Sequence, residues 1–273
     1  MSVLKIKHIV IYPIKSLGPV SVKEAQVCPS GLALDRNYVL VNAQGAFLSQ
    51  RSHPQMSQFY VQIKGQRLDL EYRPKGKTFS LALGPAQGPW LSFKLWDDTV
   101  QARAVSEEAD AWFTDCLEEP VRLLRMQEAQ PRQVPSAYQT TYSQQSSLAD
   151  ALPLSLIGDG SLRAQEALYG PYDPLRFRAN IMVEDCPAFE EDQWKQVRIG
   201  QSEWVFAKRC ARCQLINVDP STGKVDTAFA KHLSQHRKQD QKVYMGILLM
   251  PLGPGSMSVG DEIQIIESHA TRL

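Results

Sequence analysis

The chain has 273 residues, of which 43% are hydrophobic and 22% charged, a globular balance that excludes a disordered, collagen-like or coiled-coil protein. The 30 Lys and Arg residues against 29 Asp and Glu leave a net charge of +1, so no overall electrostatic footprint for nucleic acid or an acidic membrane is present. The richest apolar stretch, Val243 to Leu252, is far shorter than the ~20 residues a membrane-spanning helix needs.

The opening Met-Ser-Val-Leu-Lys-Ile-Lys-His interleaves basic and apolar residues. It lacks the apolar core and small-residue cleavage site of a signal peptide, so the expected location is cytoplasmic. The 5 cysteines are odd in number and sparse, which argues against a disulfide framework.

Up to residue 105 apolar positions recur mostly at period two, which predicts strands. Tyr38 to Val41 and Ala46 to Ser49 flank Asn42-Ala43-Gln44-Gly45 as one hairpin. Phe59 to Ile63 joins Arg67 to Tyr72 through Lys64-Gly65-Gln66 as another. Leu91, Phe93 and Leu95 alternate before a turn at Asp97-Asp98. A helix follows, with Ser106 as its cap and Glu107 and Glu108 at its positive end; Ala109, Trp112, Phe113, Cys116 and Leu117 form its apolar stripe. Pro120 stops it, and Val121 to Met126 reads as a short strand. Residues 127–147, rich in Gln, Ser and Pro, are expected to be a polar linker between one domain over 1–126 and another over 148–273.

In the second part, Leu152 to Ile157 reads as a strand running into Gly158-Asp159-Gly160-Ser161, which opens a helix. Further strands are expected at Arg178 to Glu184, Val197 to Ile199, Trp204 to Lys208, Gln214 to Val218, Val243 to Met250 and Glu262 to Ile266, with a helix from Asp226 to Arg237. Many short strands with few helices predict a mainly β fold with α elements (α+β), a barrel or sandwich rather than a doubly wound sheet.

Cys210-Ala211-Arg212-Cys213 is expected between two of these strands, beside Lys208 and Arg209. Cationic neighbours favour the thiolate, the form that ligates metals or attacks electrophiles. Three other readings stand beside it: two buried structural thiols, a redox pair, and a zinc or interaction module completed by His232 and His236. Gly158-x-Gly160 has Arg163 in place of a third glycine, so it is an incomplete dinucleotide turn. The backbone near Gly160 and Ser161 nonetheless offers a helix N-terminus to a phosphate. Neither a Walker loop nor a Gly-x-Ser-x-Gly elbow occurs. Lys15-Ser16, Asp35-Arg36, Gln50-Arg51 and Arg178-Ala179-Asn180 place basic residues in separate turns; they are either solvated charges or a clamp converging on one anion.

The motifs Tyr12-Pro13-Ile14-Lys15-Ser16, Gly31-Leu32-Ala33-Leu34-Asp35-Arg36 and Leu48-Ser49-Gln50-Arg51-Ser52-His53-Pro54 resemble the N-terminal β-barrel segment that precedes MOSC domains. Phe177-Arg178-Ala179-Asn180, Cys210-Ala211-Arg212-Cys213, Val218-Asp219-Pro220-Ser221-Thr222-Gly223 and Pro254-Gly255-Ser256-Met257-Ser258-Val259-Gly260-Asp261 resemble the MOSC domain itself. The resemblance implies an N-terminal β-barrel domain followed by a MOSC β-barrel, and a molybdenum-cofactor (molybdopterin) oxidoreductase that reduces N-hydroxylated compounds, similar to the amidoxime-reducing proteins. It implies Cys213 as the molybdenum ligand and catalytic residue. Lys15, Ser16, Arg36, Arg51, Ser161, Arg178, Asn180 and Arg212 would bind the pterin and its phosphate. Ala179 departs from the family's usual Pro.

No plant-type ferredoxin cluster motif is read in the chain, so electrons are expected from a separate donor protein of ferredoxin, flavin or haem type. The expected substrate is a small N-hydroxylated molecule, with neither nucleic acid nor membrane as a partner. A molybdenum-cofactor carrier or sulfur-transfer protein is the alternative. The family also has a pyridoxal-phosphate-binding association, although no pyridoxal-phosphate desulfurase domain is read here.

Overall fold

The computed structural model describes residues 3–127 and 130–269. Alternating burial, as in Arg67–Tyr72 where Leu68, Leu70 and Tyr72 face inward, makes strands that solvate one face and bury the other. The largest assembly is a nine-stranded sheet. Its main path runs Val20–Val22, Lys5–Ile11, Ile181–Glu184, Leu154–Gly158, Lys242–Pro251, Ser202–Arg212, Trp194–Ile199 and Ile263–Ser268. Ile6 donates from its backbone to Asp261 (2.9 Å) and Ile263 to Leu4 (2.9 Å), which closes the sheet into a barrel and removes its edges. The pair Leu154–Gly158 and Ile181–Glu184 is parallel, because helix α2, Asp159–Tyr169, supplies the crossover that parallel strands require.

The N-terminal part adds a four-stranded sheet over Tyr38–Asn42, Val121–Arg125, Asp98–Ala104 and Trp90–Leu95, and a three-stranded sheet over Phe59–Lys64, Arg67–Tyr72 and Lys77–Ala82. Helix α1, Glu107–Leu117, starts where expected, with the Ser106 hydroxyl accepting from the Ala109 amide. Its Trp112 and Phe113 pack on Phe79 and Phe59 with ring centroids 5.5 Å apart in each case. The mainly β, α+β architecture is thus as read from the sequence. Among the described residues no helix is long and apolar enough to cross a membrane.

Three local readings are corrected. Gln214–Asn217 is a turn of 3-10 helix rather than a strand; it turns because the buried Arg176 guanidinium gathers the carbonyls of Ile216 (3.3 Å) and Asn217 (3.0 Å). Cys210, Ala211 and Arg212 accordingly complete the long strand Ser202–Arg212, and Cys213 follows it as the cap of the turn. The strand expected from Arg178 begins only at Ile181, since Arg178 has φ 51°. The stretch expected as a polar linker is folded down: Arg132–Gln133 pairs with Gln145–Ser146, Val134, Ser143, Ser146 and Ser147 are buried, and Leu148 donates to the Arg36 carbonyl (2.9 Å). The Ser143 hydroxyl donates to the Pro29 carbonyl at 2.5 Å and the Thr140 hydroxyl to the Pro251 carbonyl at 2.8 Å, whereas the buried Ser146 and Ser147 hydroxyls have no partner in the protein.

Candidate functional site

Three separate turns meet at one end of the barrel, and each places a residue in the left-handed region: Ser16 (φ 68°), Arg36 (φ 51°) and Arg178 (φ 51°). Such conformations cost of order 1–3 kcal/mol each and cluster where function fixes the backbone. The turns surround a cavity of about 210 Å³. Of the expected site residues, Lys15, Ser16, Arg36, Arg178, Asn180, Arg212 and Cys213 line it.

A buried cationic wall is built around Tyr12. The Arg178 and Arg36 guanidinium carbons lie over its fully buried ring at 4.0 and 4.5 Å, a favourable cation–π arrangement once desolvated. Burial lowers the Arg178 pKa to about 10. Burial also opposes the Arg36 charge, but Asp35, together with Tyr12 and Asp150, outweighs this and leaves its pKa raised. Asp35 accepts from the Tyr12 amide (2.9 Å) and from Arg36 Nη1 (2.6 Å). Arg36 also donates to Asn180 Oδ1 (3.1 Å) and the Arg178 carbonyl (3.0 Å). These bonds fix the relative position of two turns 142 residues apart.

Lys15 is 4% exposed and donates to the Leu148 carbonyl (2.8 Å) and to Asp150. Burial pulls its pKa down, and Asp150 restores only part. The surrounding protein disfavours the Asp150 charge, but Lys15, and behind it Arg51 and Arg36, hold its pKa at about 2. Asp150 is therefore a standing counter-charge in the wall.

Two further guanidinium groups complete the cavity. Arg176 spends Nη1 on Ile216 and Asn217 and Nη2 on Asp219 (2.8 Å), yet its Nε is buried without a partner in the protein. Arg212 donates through Nε to Met245 (2.8 Å) and through Nη1 to Phe177 (2.6 Å), and its Nη2 is likewise buried and unpartnered. Buried donors are nearly always satisfied, so orphaned N–H groups in a cavity wall mark where ligand acceptors belong. Cys213 is exposed, unlike the buried Cys210. A soft sulfur donor beside orphaned cationic donors fits a ligand that carries both an anionic group and a soft metal.

Not every expected residue converges. Arg51 does not line the cavity; it stacks over the Trp96 ring at 3.8 Å and lies 3.8 Å from Asp150. Asn180 lines it but is fully engaged. Its Oδ1 accepts from the Ser155 amide (3.2 Å) and hydroxyl (3.1 Å), and its Nδ2 donates to the Val10 carbonyl (3.1 Å), so it positions strands and Arg36. Ser161 lies elsewhere: its fully buried hydroxyl donates to Glu191 (2.8 Å) and accepts from the Phe189 amide (2.7 Å).

The Gly158-x-Gly160 turn therefore offers no phosphate site. Glu191 Oε1 accepts from the Gly158 amide (3.2 Å), and the Gly160 amide donates to the Cys186 carbonyl (3.0 Å). A Cβ on Gly160 would stand 2.2 Å from that carbonyl oxygen, so glycine serves close packing there. The zinc alternative is not formed either, because among the described residues no three His, Cys, Asp or Glu side chains converge as a metal site requires. Arg176, Lys208 and Asp150 also line the cavity and were not singled out in the sequence as cavity residues. Arg176 stood one residue outside a quoted motif, whereas nothing local couples Asp150 to Lys15.

Glu191 makes a testable acid–base element. Burial pushes its pKa up to about 7, whereas an unfolded Glu titrates near ~4.3. Between those values the folded state holds the extra proton, so this contribution is most favourable below about pH 4 and declines as pH rises toward 7. Glu191→Gln should remove that decline and exceed the parent's stability above pH 7 by on the order of 2 kcal/mol. Urea midpoints measured across the pH range check this, and an unchanged slope would refute it.

Comparison with known proteins agrees with this architecture. Residues 3–120 match the MOSC N-terminal beta barrel domain and residues 143–264 match the MOSC domain. The chain belongs to the family of MOSC proteins that carry this N-terminal barrel. It is 28% identical to mitochondrial amidoxime-reducing component 1 of Mus musculus, over 94% of this chain and 80% of that one. It is 31% identical to mitochondrial amidoxime reducing component 2 of Rattus norvegicus, over 79% of this chain and 67% of that one. It is also 31% identical to a molybdenum cofactor sulfurase of Anopheles gambiae, over 81% of this chain but only 31% of that protein. Its function is thus related to the molybdenum cofactor.

Proposed function

We propose that the protein is a molybdenum-cofactor-dependent reductase of N-hydroxylated compounds, supplied with electrons by a separate protein. The observation that carries this reading is the exposed Cys213 thiol at the mouth of a cavity whose Arg176 and Arg212 retain buried, unpartnered N–H groups. Lys15, Arg178 and Arg212 would hold the cofactor's anionic group, with Ser16 and Arg36 completing the cradle, and Cys213 would bind its metal. Asn180 and Asp35 keep Arg36 in place, and Asp150 orients the buried Lys15 and favours its charge against burial. When bound, the molybdenum centre supplies oxygen-accepting, two-electron chemistry, so that N–OH plus two electrons and two protons gives N–H and water. Relatives named for amidoxime reduction cover most of both chains, which favours turnover over cofactor carriage.

The test is to purify the protein from a host competent in molybdenum-cofactor synthesis, then measure molybdenum, oxidised-pterin fluorescence and viologen-driven reduction of an aryl amidoxime. Near-stoichiometric molybdenum with pterin, together with turnover, is expected. Bound cofactor without turnover would replace the reductase with a carrier. Protein that binds neither molybdenum nor pterin would overturn both.

A further inference from the structure

The cavity opens beside a basic surface that the anion pocket does not use. Residues 227–243 contain four Lys and Arg against one acidic residue, Asp240, although the whole chain carries only +1. The sheet sets them beside Arg212: Arg212 and Lys238 pair with Val243 from opposite sides, and the exposed Lys242 pairs with Gln239. Helix α3, Thr227–Arg237, leads into this hairpin and contributes the exposed Lys231. Ala211, Cys213 and Gln214, which follow or flank Arg212 in the chain, are exposed as well.

Several surface cations elsewhere are matched locally, as Lys64 is by Asp69, Lys75 by Glu118 and Lys195 by Glu267, while others such as Lys5, Lys23 and Lys224 form no ion pair among the described residues. Arg237 is taken by Asp192. Among the described residues Lys231, Lys238 and Lys242 form no ion pair. Concentrated, unmatched charge steers and retains a partner of opposite sign. An RNA would need open aromatic faces for stacking, but Arg209 covers the Tyr244 ring at 4.2 Å. A membrane would need apolar anchors beside the lysines, and none of the exposed large hydrophobics falls within residues 227–243. A folded protein with a carboxylate-rich surface remains the best match.

We propose that this face docks a small acidic one-electron carrier, which delivers its electron to the site at Cys213. This rests on the reductase reading. Each encounter oxidises one carrier by one electron, so two encounters and two protons convert one N–OH group into N–H and water.

The experiment titrates the holoprotein, by calorimetry, with two oxidised carriers of carboxylate-rich surface, a plant-type [2Fe–2S] ferredoxin and a flavodoxin. A Lys231→Glu/Lys238→Glu/Lys242→Glu variant is compared at ionic strengths from about 0.01 M to about 0.15 M. The parent is expected to bind, more weakly as salt rises. The variant should bind at least ~10-fold more weakly with little salt dependence, while its viologen-driven turnover stays at the parent's level. A parent that binds neither carrier at low salt, or a variant that binds like the parent, overturns the docking face. Binding of an RNA oligomer or phosphatidylserine vesicles in place of the carriers, lost in the variant, also overturns it. Carrier binding lost in the variant, with no viologen-driven turnover in either protein, upholds the face and overturns the reductase reading.

Discussion

Cys213→Ala is expected to reduce viologen-driven turnover of N-hydroxylated substrates to background while leaving the fold intact. The side chain is exposed, so its truncation opens no internal void. Surface changes usually stay within about 0.5 kcal/mol, which shifts Tm by roughly 2 °C or less in a chain of this size. Cys210→Ala is the informative contrast. Cys210 is buried with Val134, Leu152, Leu248 and Met250, so that variant should lose about 1 kcal/mol of stability and keep its turnover. Burial raises the Cys210 pKa, which suits a packing thiol better than a ligand. Retained turnover in Cys213→Ala would overturn its assignment as ligand, and retained turnover in Cys210→Ala is needed to confirm that the two cysteines differ in role. Both measurements should be normalised to molybdenum content, so that loss of cofactor and loss of chemistry are separated.

What the sequence made legible was governed by local physics. Ser106 could be read as a cap because a cap needs only its own next few amides, and its hydroxyl makes the expected bond. The hairpin of Phe59–Lys64 with Arg67–Tyr72 was visible because alternation and a tight turn coincide. Gln214–Asn217 misled because its fate depends on Arg176, whose approach from a distant turn competes with strand pairing. The polar composition of 130–147 hid its packing, since a serine hydroxyl that finds backbone carbonyls, as that of Ser143 does, can be buried at little cost.

The site divides in the same way. Family resemblance named Lys15, Ser16, Arg36, Arg178, Arg212 and Cys213, which the structure brings to one cavity. Resemblance could not distinguish a residue that presents free donors from one whose donors are used. Asn180 belongs to the second kind, as its four bonds to Ser155, Arg36 and Val10 leave it holding the scaffold. Ser161 failed for a different reason. A helix N-terminus attracts an anion, but here the chain supplies its own buried carboxylate, Glu191, 30 residues away from Ser161.

Asp35→Ala is expected to have the largest effect on stability of any single substitution in the cavity wall. Asp35 is 1% exposed, and its two oxygens serve the Tyr12 amide and the Arg36 guanidinium. Removing one partner of a buried ion pair leaves the other charge uncompensated and costs about 3–5 kcal/mol, a large share of the 5–15 kcal/mol that typically holds a domain together. Asp35→Asn keeps an acceptor for Tyr12 but not the charge, so it should cost less than the alanine. Urea unfolding with an unchanged m value would attribute both losses to the native state. Molybdenum occupancy should fall with them, because Arg36 loses the carboxylate that orients it toward Asn180 and the Arg178 carbonyl. Asp150 is the remaining acid that supports the Arg36 charge. A loss below about 1 kcal/mol in Asp35→Ala would mean that Arg36 turns to Asp150 at the expense of Lys15; Asp35→Ala/Asp150→Asn would then lose far more than the sum of the single variants.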